Sequence, residues 1–471
     1  MRRKKSRPIF ERVEVVDAGA KGKSIAKAPD GRVIFLSEAV PGDIVDIQTL
    51  RKRKRFFEGK VTHFHRLSDK RIQPTCSHFG VCGGCKWQHM DYKYQLFYKQ
   101  REVQNNLERI GHLELPEVQP IVGSRKMYFY RNKMEFSFSD SRWLSLKEIR
   151  SDTEITDKNA LGFHIPGMWD KILDVKKCHL QQDPSNAIRL ETKTFAEKNG
   201  LSFFNPRHQR GLLRTLMIRT ASTGEVMVLV QFFEDTPKKR KLLLDHLETT
   251  FPEITALLYV INPKPNDTIY DQTVLCHAGR DHIFEEMEGL HFKINAKSFY
   301  QTNSEQAYTL YKIVRDFAGL TGKELVYDLY TGTGTIAQFV AAGAKKVVGI
   351  EAVPEAILDA KANAERNRIA NVHFYAGDMK TVFDSEFIAQ NGLPDVLITD
   401  PPRDGMHKNV VRQILEIAPK KVVYVSCNSA TQARDLELMK DTYQITRVQP
   451  VDMFPQTHHV ENVVLLEKQP L

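Results

Sequence analysis

The fold is decided by the stretch Asp328-Leu-Tyr-Thr-Gly-Thr-Gly-Thr335, which follows an apolar strand and opens a helix. Glycines at 332 and 334 allow the backbone of the intervening turn to approach a ligand closely. Nineteen residues after Gly332, the next apolar strand ends at Glu351. A carboxylate at that place suits the two hydroxyls of an adenosine ribose. The stretch therefore predicts a nucleotide-type site at the carboxyl edge of a parallel sheet.

After residue 295, apolar strands alternate with helices, a pattern that predicts a parallel sheet covered on both faces. The segments that carry these strands lie at 324–330, 345–352, 372–378, 395–402 and 420–428, with a last hairpin near 463–467. The turn lacks the third glycine of the pyrophosphate fingerprint, so S-adenosylmethionine fits better than a dinucleotide. Asp378, at the end of the third strand, is positioned to face the adenine.

A cysteine stands where ligands bind in such a sheet. Asp400-Pro-Pro-Arg-Asp-Gly405 follows the fourth strand and leaves the methyl acceptor open, because enzymes acting on ring or amide nitrogens carry similar motifs. Cys427 directly follows the fifth strand. Its position alone also suits a small buried residue.

Chemistry favours a nucleophile at Cys427. Carbon 5 of uracil is a poor nucleophile until a thiolate adds to carbon 6. A base must then remove the proton on carbon 5, and Glu461 in the last strand region is the candidate.

The bulk composition indicates several domains and a polyanionic partner. The chain has 471 residues, which is long enough for about three domains. Its net charge is +10. Residues 1–7 hold five Lys or Arg, and a second basic run reads Arg51, Lys52, Arg53, Lys54 and Arg55. Such runs are either a solvated face or a phosphate-binding surface. No apolar stretch is long enough for a membrane helix or a secretory signal, so a cytoplasmic location is expected.

The N-terminal part reads as strands and turns. Residues 8–66 show short alternating strands, with turns at Pro29–Gly31 and Pro41–Asp43, and predict a five-stranded barrel. The pattern Gly-x-x-Ile-Ala followed by Ala-Val-Pro-Gly-Asp-x-Val resembles the TRAM domain of RNA-modifying enzymes. A helix is predicted over 93–112, closed by Gly111. Between 120 and 290, strand-like runs lie at 134–139, 142–146, 160–165, 216–221 and 225–233.

Three of the six cysteines crowd into ten residues: Cys76, Cys82 and Cys85. This spacing favours a metal site over disulfides. Spacing alone leaves zinc and an iron–sulfur cluster equally open, because His78, His89 and His179 lie nearby in sequence.

Taken together, these motifs resemble the RNA 5-methyluridine methyltransferases, in particular the iron–sulfur branch acting on 23S ribosomal RNA. The resemblance covers essentially the whole chain. Besides the segments above, it rests on Phe299-x-Gln301-x-Asn303, Cys-x5-Cys-Gly-Gly-Cys, Ser-Cys-Asn and the final His-x-Glu. It implies a C-terminal Rossmann-like class I methyltransferase domain (291–471), an N-terminal TRAM- or OB-like β-barrel (1–66) and a β-rich central iron–sulfur domain (67–290). The predicted helix 93–112 is expected to pack on the catalytic domain.

The resemblance also assigns residues. It makes Cys427 the nucleophile and Glu461 the base. The residues that bind the cofactor or orient the base are Gln301, Tyr330, Glu351 and Asp400, joined by Gly332, Gly334 and Asp378 of the predicted site. A 4Fe–4S cluster takes Cys178 as the distant fourth ligand, with Cys276 as its rival. Position 456 is Gln, where many relatives carry His, which puts any role of that side chain in doubt.

Several expectations follow for the partner. The partner is ribosomal RNA, bound by a monomer, with Phe299 stacking on displaced bases and residues 51–55 gripping phosphates. Two alternatives stand beside this one: methylation of the tRNA T-loop uridine, and a non-catalytic RNA-binding or ribosome-assembly factor.

Overall fold

The computed structural model describes residues 7–152 and 154–470. Residues 1–6, and with them four of the five basic residues of the first run, lie outside the described residues. The side chain of Lys52 lies outside them too.

The N-terminal segment forms the predicted five-stranded barrel. Its strands close in the order β1-β2-β3-β5-β4, with β3 and β5 parallel. Alternate residues such as Ile34, Val45 and Phe57 point into a small apolar core. The strands are β1 (Ile9–Gly19), β2 (Lys23–Lys27), β3 (Val33–Leu36), β4 (Ile44–Lys52) and β5 (Phe56–Arg66).

A buried carboxylate ties the barrel to the chain that follows. Asp43 is fully buried and accepts from the backbone N–H of Ser68 at 2.9 Å. It also pairs with Arg71, whose nitrogen lies 2.6 Å away. The turn that contains Asp43 therefore fixes the start of the cysteine-bearing segment against the barrel.

The central part is built on a seven-stranded sheet of order β12-β11-β10-β9-β6-β7-β8. The strands are β6 (Lys133–Ser139), β7 (Ala160–Ile165), β8 (Met168–Asp174), β9 (Leu213–Thr220), β10 (Val226–Phe232), β11 (Ile254–Ile261) and β12 (Leu275–Gly279). Its helices are α1 (Tyr92–Arg109), α2 (Leu146–Ile149), α3 (Ser185–Lys198) and α4 (Pro237–Thr250). Leu243 and Leu247 of α4 and Ile188 of α3 pack on one face of the sheet.

The strand expected at 142–146 is wrong. Ser145 instead caps α2: it accepts from the N–H of Glu148, whose carboxylate accepts from the N–H of Ser145. This reciprocal capping gives hydrogen-bond partners to the backbone N–H groups of Ser145 and Glu148. In a strand, these two groups would need partners on a neighbouring strand.

A hairpin, β13 (His282–Met287) and β14 (Leu290–Asn295), leads into the C-terminal part, and the predicted boundary at 290/291 falls on the first residue of β14. One apolar core runs from the central sheet (Leu229 and Leu258) through Phe292 of this hairpin to Val326 and Val347 beyond it. The two parts are therefore packed as one body rather than joined by a linker.

The C-terminal part contains the predicted α/β sheet, in the order β17-β16-β15-β18-β19-β21-β20. The first five strands are parallel, and β21 runs antiparallel between β19 and β20. The strands are β15 (Leu325–Leu329), β16 (Lys346–Glu351), β17 (Val372–Ala376), β18 (Val396–Thr399), β19 (Lys421–Ser426), β20 (Tyr443–Val451) and β21 (Glu461–Lys468). The helices are α5 (Ser304–Ala318), α6 (Thr335–Ala341), α7 (Pro354–Arg366), α8 (Met379–Val382), α9 (Ser385–Asn391), α10 (Lys408–Ile417) and α11 (Ser429–Glu437).

Helix α1 precedes the central sheet along the chain, but it packs on the C-terminal sheet layer. Val103 and Leu107 belong to the same apolar core as Tyr424 and Leu436. Asn106 Nδ2 donates to Ser429 Oγ at 2.8 Å, at the start of α11. The helix thus brings residues of the central part next to the loops that follow β19 and β20.

Candidate active site

The strand order gathers the predicted residues at one edge of the sheet. Chain order reverses between β15 and β18, and open α/β sheets bind ligands at such a switch point, beyond the carboxyl ends of the strands. Tyr330 follows β15, Glu351 ends β16, Asp400 follows β18 and Cys427 follows β19. These four residues therefore lie around one crevice.

The antiparallel β21 adds a fifth group to this edge. Its first residue is Glu461, and Asn462 pairs in register with Ser426 of β19. Because the two strands run in opposite directions, the start of β21 meets the end of β19. Cys427 and Glu461 are consequently neighbours although 33 residues separate them along the chain.

The glycine turn after β15 is shaped to hold a ligand. Gly334 has φ +75°, and a Cβ there would lie 2.6 Å from the Phe374 ring, so only glycine fits. Gly332 has no heavy atom within 4 Å of the position a Cβ would take, so the turn faces open space there. The Gly332 N–H donates to Glu351 Oε2 at 3.1 Å. Glu351 keeps lone pairs on both oxygens, and these suit the ribose hydroxyls of S-adenosylmethionine.

Asp328 organises this turn from below. Its Oδ2 accepts from Thr331 Oγ1 at 2.5 Å and from the Ala337 N–H at 3.1 Å. Its other oxygen, Oδ1, is buried and finds no hydrogen-bond partner among the residues that the structure describes. Burial raises the pKa of Asp328 to about 7. The sequence interpretation quoted this residue only as the start of the motif and gave it no role.

The remaining predicted cofactor residues lie around the crevice in different environments. Tyr330 is half-buried and has a left-handed backbone, with φ +63°. Asp378 is exposed at the end of β17 and caps α8 through the Lys380 N–H. Gln301 is buried, and its backbone carbonyl accepts from Asn132 Nδ2 at 2.8 Å, whereas Phe299, two residues earlier, is 70% exposed.

Electrostatics at the reacting centre favour protonated groups. Burial, reinforced by Glu461 and Asp400, raises the pKa of the half-buried Cys427 thiol to about 11. Burial and then Asp400 raise the pKa of Glu461 to about 8. Burial raises the pKa of Asp400 itself to about 7. Three acidic groups thus share one poorly solvated pocket.

Arg403 is the cation that opposes these shifts. It lowers the pKa of both Cys427 and Glu461, in part by a hydrogen bond to the thiol. Its backbone carbonyl accepts from Asn428 Nδ2 at 2.9 Å and from Thr431 Oγ1 at 3.0 Å. The loop after β18 is therefore fastened to the loop after β19. The sequence interpretation quoted Arg403 in its motif but assigned it nothing.

The cysteine segment forms a separate site. Cys76, Cys82, Cys85 and Cys178 line one cavity beside the central sheet. Burial, reinforced by the other three cysteines, raises the pKa of Cys85 to about 12. Four half-buried thiols that line one cavity form a donor set suited to a soft metal.

The spacing of the sulfurs bears on the choice of metal. Tetrahedral zinc would bring its thiolates to about 3.8 Å of each other. Within residues 7–152 and 154–470, no three of these sulfurs lie mutually within 4.8 Å. A four-iron cluster keeps its thiolates farther apart, because each binds a different iron. The four sulfurs, as placed, are therefore not as close together as the thiolates of a tetrahedral zinc site.

Two of the rival ligands, Cys276 and His78, are placed elsewhere or already engaged. Cys276 lies on β12, at the opposite edge of the sheet from β8, roughly 29 Å away across six strand spacings. His78 Nε2 accepts from the Lys176 N–H at 2.9 Å. Cys178 follows β8 and is the cysteine that completes the group.

The basic run forms the tip between β4 and β5, where Arg51, Arg53, Lys54 and Arg55 are exposed. No helix in the described part of the chain has the length and apolar character needed to cross a membrane.

Comparison with known proteins agrees with this geometry. Residues 279–469 match the family model described as tRNA (Uracil-5-)-methyltransferase. An RNA methyltransferase of Bacteroides thetaiotaomicron is 60% identical over 95% of this chain and 99% of its own length. An RNA methyltransferase of Porphyromonas gingivalis is 54% identical, over 96% and 99%. The chain belongs to the RNA (uracil-5-)-methyltransferase family.

A solved family structure matches this RNA methyltransferase along its whole length. The Pyrococcus abyssi tRNA (uracil-54, C5)-methyltransferase, in complex with S-adenosyl-L-homocysteine, is 26% identical, with a TM-score of 0.74. The match covers 96% of this chain and 100% of that one. The expected family and fold class are thereby confirmed, and this RNA methyltransferase uses S-adenosylmethionine. The expectation of a non-catalytic factor finds no support here.

Proposed function

We propose that this RNA methyltransferase modifies carbon 5 of a specific uridine in 23S ribosomal RNA, through a covalent bond between Cys427 and carbon 6 of the uracil. The observation that carries the mechanism is the pairing of β19 with β21, which sets Cys427 beside Glu461 in one buried pocket. Methylation of uracil carbon 5 requires a nucleophile and a base. A thiol and a carboxyl group lie side by side at the edge of the sheet that also carries the glycine turn.

The chemical steps can be assigned to residues. The Cys427 thiol gives its proton to water as Sγ forms a bond to carbon 6, and the electrons of the carbon 5–carbon 6 double bond move to the enolate, which makes carbon 5 nucleophilic. The glycine turn and Glu351 would hold S-adenosylmethionine, which would supply the methyl group to carbon 5 as its bond to the sulfonium sulfur breaks. Glu461 then removes the proton from carbon 5, the carbon 5–carbon 6 double bond re-forms, and the Cys427 thiolate leaves.

The other groups position these atoms. Asp400 and Gln301 border the pocket and offer acceptors and donors to the uracil edge. Arg403 lowers the cost of the Cys427 thiolate and of the enolate. Tyr330 and Asp378 border the cofactor side of the crevice.

The cysteine site is proposed to hold a 4Fe–4S cluster on Cys76, Cys82, Cys85 and Cys178. Methyl transfer requires no electron, so the cluster would fold the central part around these loops rather than take part in redox chemistry. The N-terminal barrel is proposed to be a TRAM domain, because its Ala-Val-Pro-Gly-Asp turn forms the joint described above for Asp43.

A second candidate substrate is the T-loop uridine of tRNA. It is favoured by the full-length likeness to a tRNA (uracil-54, C5)-methyltransferase. One experiment separates the two: mapping of 5-methyluridine in the rRNA and tRNA of a deletion strain. Loss of a 23S rRNA site, restored by wild-type protein but not by Cys427→Ala, supports the proposal. Loss confined to tRNA position 54 assigns the second candidate instead, and loss in neither RNA contradicts both.

A further inference from the structure

The loop that delivers Glu461 is irregular but buried. Residues 452–460 join β20 to β21 without regular structure, and most of their side chains are buried. Backbone groups of such a segment must find partners, because water does not reach them. The partners that this loop finds come largely from the central part of the chain, outside the methyltransferase sheet.

The first partners belong to the cysteine segment. The N–H groups of Lys86 and Trp87 both donate to the carbonyl of Gln456, at 2.9 and 3.0 Å. These two residues directly follow Cys85. Gln456 has φ +68°, a left-handed conformation that a non-glycine residue keeps only when its surroundings impose it.

The second partner is Gln95 of α1. Gln95 Nε2 donates to Gln456 Oε1 at 3.0 Å, and Gln95 Oε1 accepts from the Gln456 N–H at 3.0 Å. The same Nε2 also donates to the carbonyl of Trp87 at 3.0 Å. The buried side-chain amide of Gln95 therefore links the loop 452–460 to the residues that directly follow Cys85.

A buried ion pair holds the start of the loop. Lys99 Nζ lies 2.6 Å from Asp452 Oδ1, and both side chains are fully buried. Lys99 also donates to the Phe454 carbonyl at 3.1 Å, and Tyr92 donates to Asp452 Oδ2 at 2.7 Å. Helix α1 thus fixes the loop at Asp452 as well as at Gln456.

We infer that Gln95, together with the backbone of the Cys85–Trp87 segment, positions the base Glu461, so that filling the cysteine site sets the geometry of the catalytic loop. The inference rests on the proposed role of Glu461 and deepens it. A metal on Cys85 fixes the backbone immediately before the two N–H groups that hold Gln456. Loss of the metal releases that backbone and, through Gln456, the loop ending at Glu461.

The first test replaces Gln95 by Met, which keeps the length of the side chain and removes its hydrogen bonds. Gln104→Met, at an exposed position of the same helix, is the control. Gln95→Met is expected to lower kcat about tenfold or more, with KM and S-adenosylmethionine affinity unchanged. It should also accumulate methylated RNA–protein adduct, because removal of the carbon 5 proton slows. Gln104→Met should match wild type in all four measurements.

The second test needs no activity. Amide hydrogen exchange of residues 452–461 is followed in the full-length chain, for wild type before and after removal of iron with a chelator and oxidant, and for Cys85→Ser. Cys276→Ser, on a distant strand, is the control. Exchange in this segment should accelerate on loss of metal and in Cys85→Ser, with β15–β19 unchanged. If exchange in Cys85→Ser is faster along the whole chain, the substitution has destabilised the fold. The test then rests on wild type before and after metal removal.

Two results would overturn the inference: exchange of 452–461 that is indifferent to metal removal, or a Gln95→Met enzyme that resolves its adduct as fast as wild type. Failure of the proposed function is a different result, namely a wild-type enzyme that forms no adduct with 5-fluorouridine RNA.

Discussion

Cys427 lies where its reactive form is disfavoured until substrate binds. Burial and two neighbouring carboxyl groups hold the pKa of its thiol at about 11, and Arg403 is the group that opposes them. A thiol with this pKa is almost entirely protonated at neutral pH, which protects it from oxidation and alkylation. For the proposed mechanism, substrate binding must therefore favour the thiolate of Cys427.

Replacing Cys427 by Ala is expected to abolish methylation while S-adenosylmethionine binding persists, because the thiol acts on the base and the cofactor turn is untouched. Wild-type enzyme should form a stable covalent complex with 5-fluorouridine RNA, since fluorine cannot leave as a proton. Cys276→Ala, at an exposed cysteine far from the site, is the control and should form the same complex. Methylation by Cys427→Ala at the wild-type rate would refute the mechanism.

The variant Glu461→Gln should still form the bond between Cys427 and carbon 6 but should release the methylated RNA slowly. Addition of Cys427 and methyl transfer remain possible, but the proton on carbon 5 has no base. Turnover is expected to fall by about 10²–10⁴-fold, with methylated RNA–protein adduct accumulating on denaturing gels. Turnover near wild type without adduct would show that another group takes the proton.

The same carboxyl group makes stability depend on pH. Its folded-state pKa is about 8, whereas an ordinary glutamate lies at 4.5, so the folded chain binds the extra proton between these values. Stability from this group is therefore present below pH 4.5 and lost as pH rises to 8. In cofactor-free enzyme, Glu461→Gln should gain stability relative to wild type over this range, by at most about 1.4 kcal/mol per pH unit in denaturant titrations. Parallel pH curves for the two proteins would contradict the shifted pKa.

At the scale of elements, Cys178, which follows β8, is the one proposed cluster ligand that lies outside residues 76–85. Anaerobically purified enzyme should be brown and carry about four irons per chain. Cys178→Ser should lose most of this iron and visible absorption, because it removes the one ligand outside residues 76–85. Cys276→Ser should keep both. One zinc per chain with no visible absorption would reverse the assignment.

An element was predictable from the sequence when the residues that produce it are close together along the chain. The strands β15 to β19 and the turn at Gly332 and Gly334 were predictable, since continuous apolar runs and glycines mark them directly. Helices α3 and α4 were missed among strand-like segments, although Pro237 at the first turn of α4 was a local signal. The capping pair Ser145 and Glu148 was likewise readable, yet the apolar residues around it suggested a strand.

The sequence suggested candidate site residues, but not the contacts that hold them in place. Cys427 and Glu461 are demanded by chemistry, whereas their contact depends on β21 inserting between β19 and β20. Lys99 and Gln95 sit on a helix more than 350 residues before their partners. Nothing in the local sequence marks such a pairing, so only the folded chain reveals it.

At the scale of the whole molecule, the exposed basic tip between β4 and β5 is proposed to bind RNA phosphates. Replacing Arg53, Lys54 and Arg55 by Gln should weaken binding of long rRNA and flatten its salt dependence by about 0.7–0.9 in the log–log slope per lost phosphate contact. S-adenosylmethionine affinity should stay the same. The matched control neutralises Lys238, Lys239 and Lys241 on α4, remote from the barrel. Unchanged slopes for the tip variant would identify residues 51–55 as a merely solvated face.

The buried Lys99–Asp452 pair has a consequence for recombination between family members. A chimera that takes its central part from one relative and its methyltransferase part from another inherits each half of this pair from a different parent. A parent with an apolar residue at either position would leave a lone charge sealed in the interface, which proteins tolerate poorly. Crossovers near residue 290 are therefore expected to fail where the two parents differ at either position of this pair.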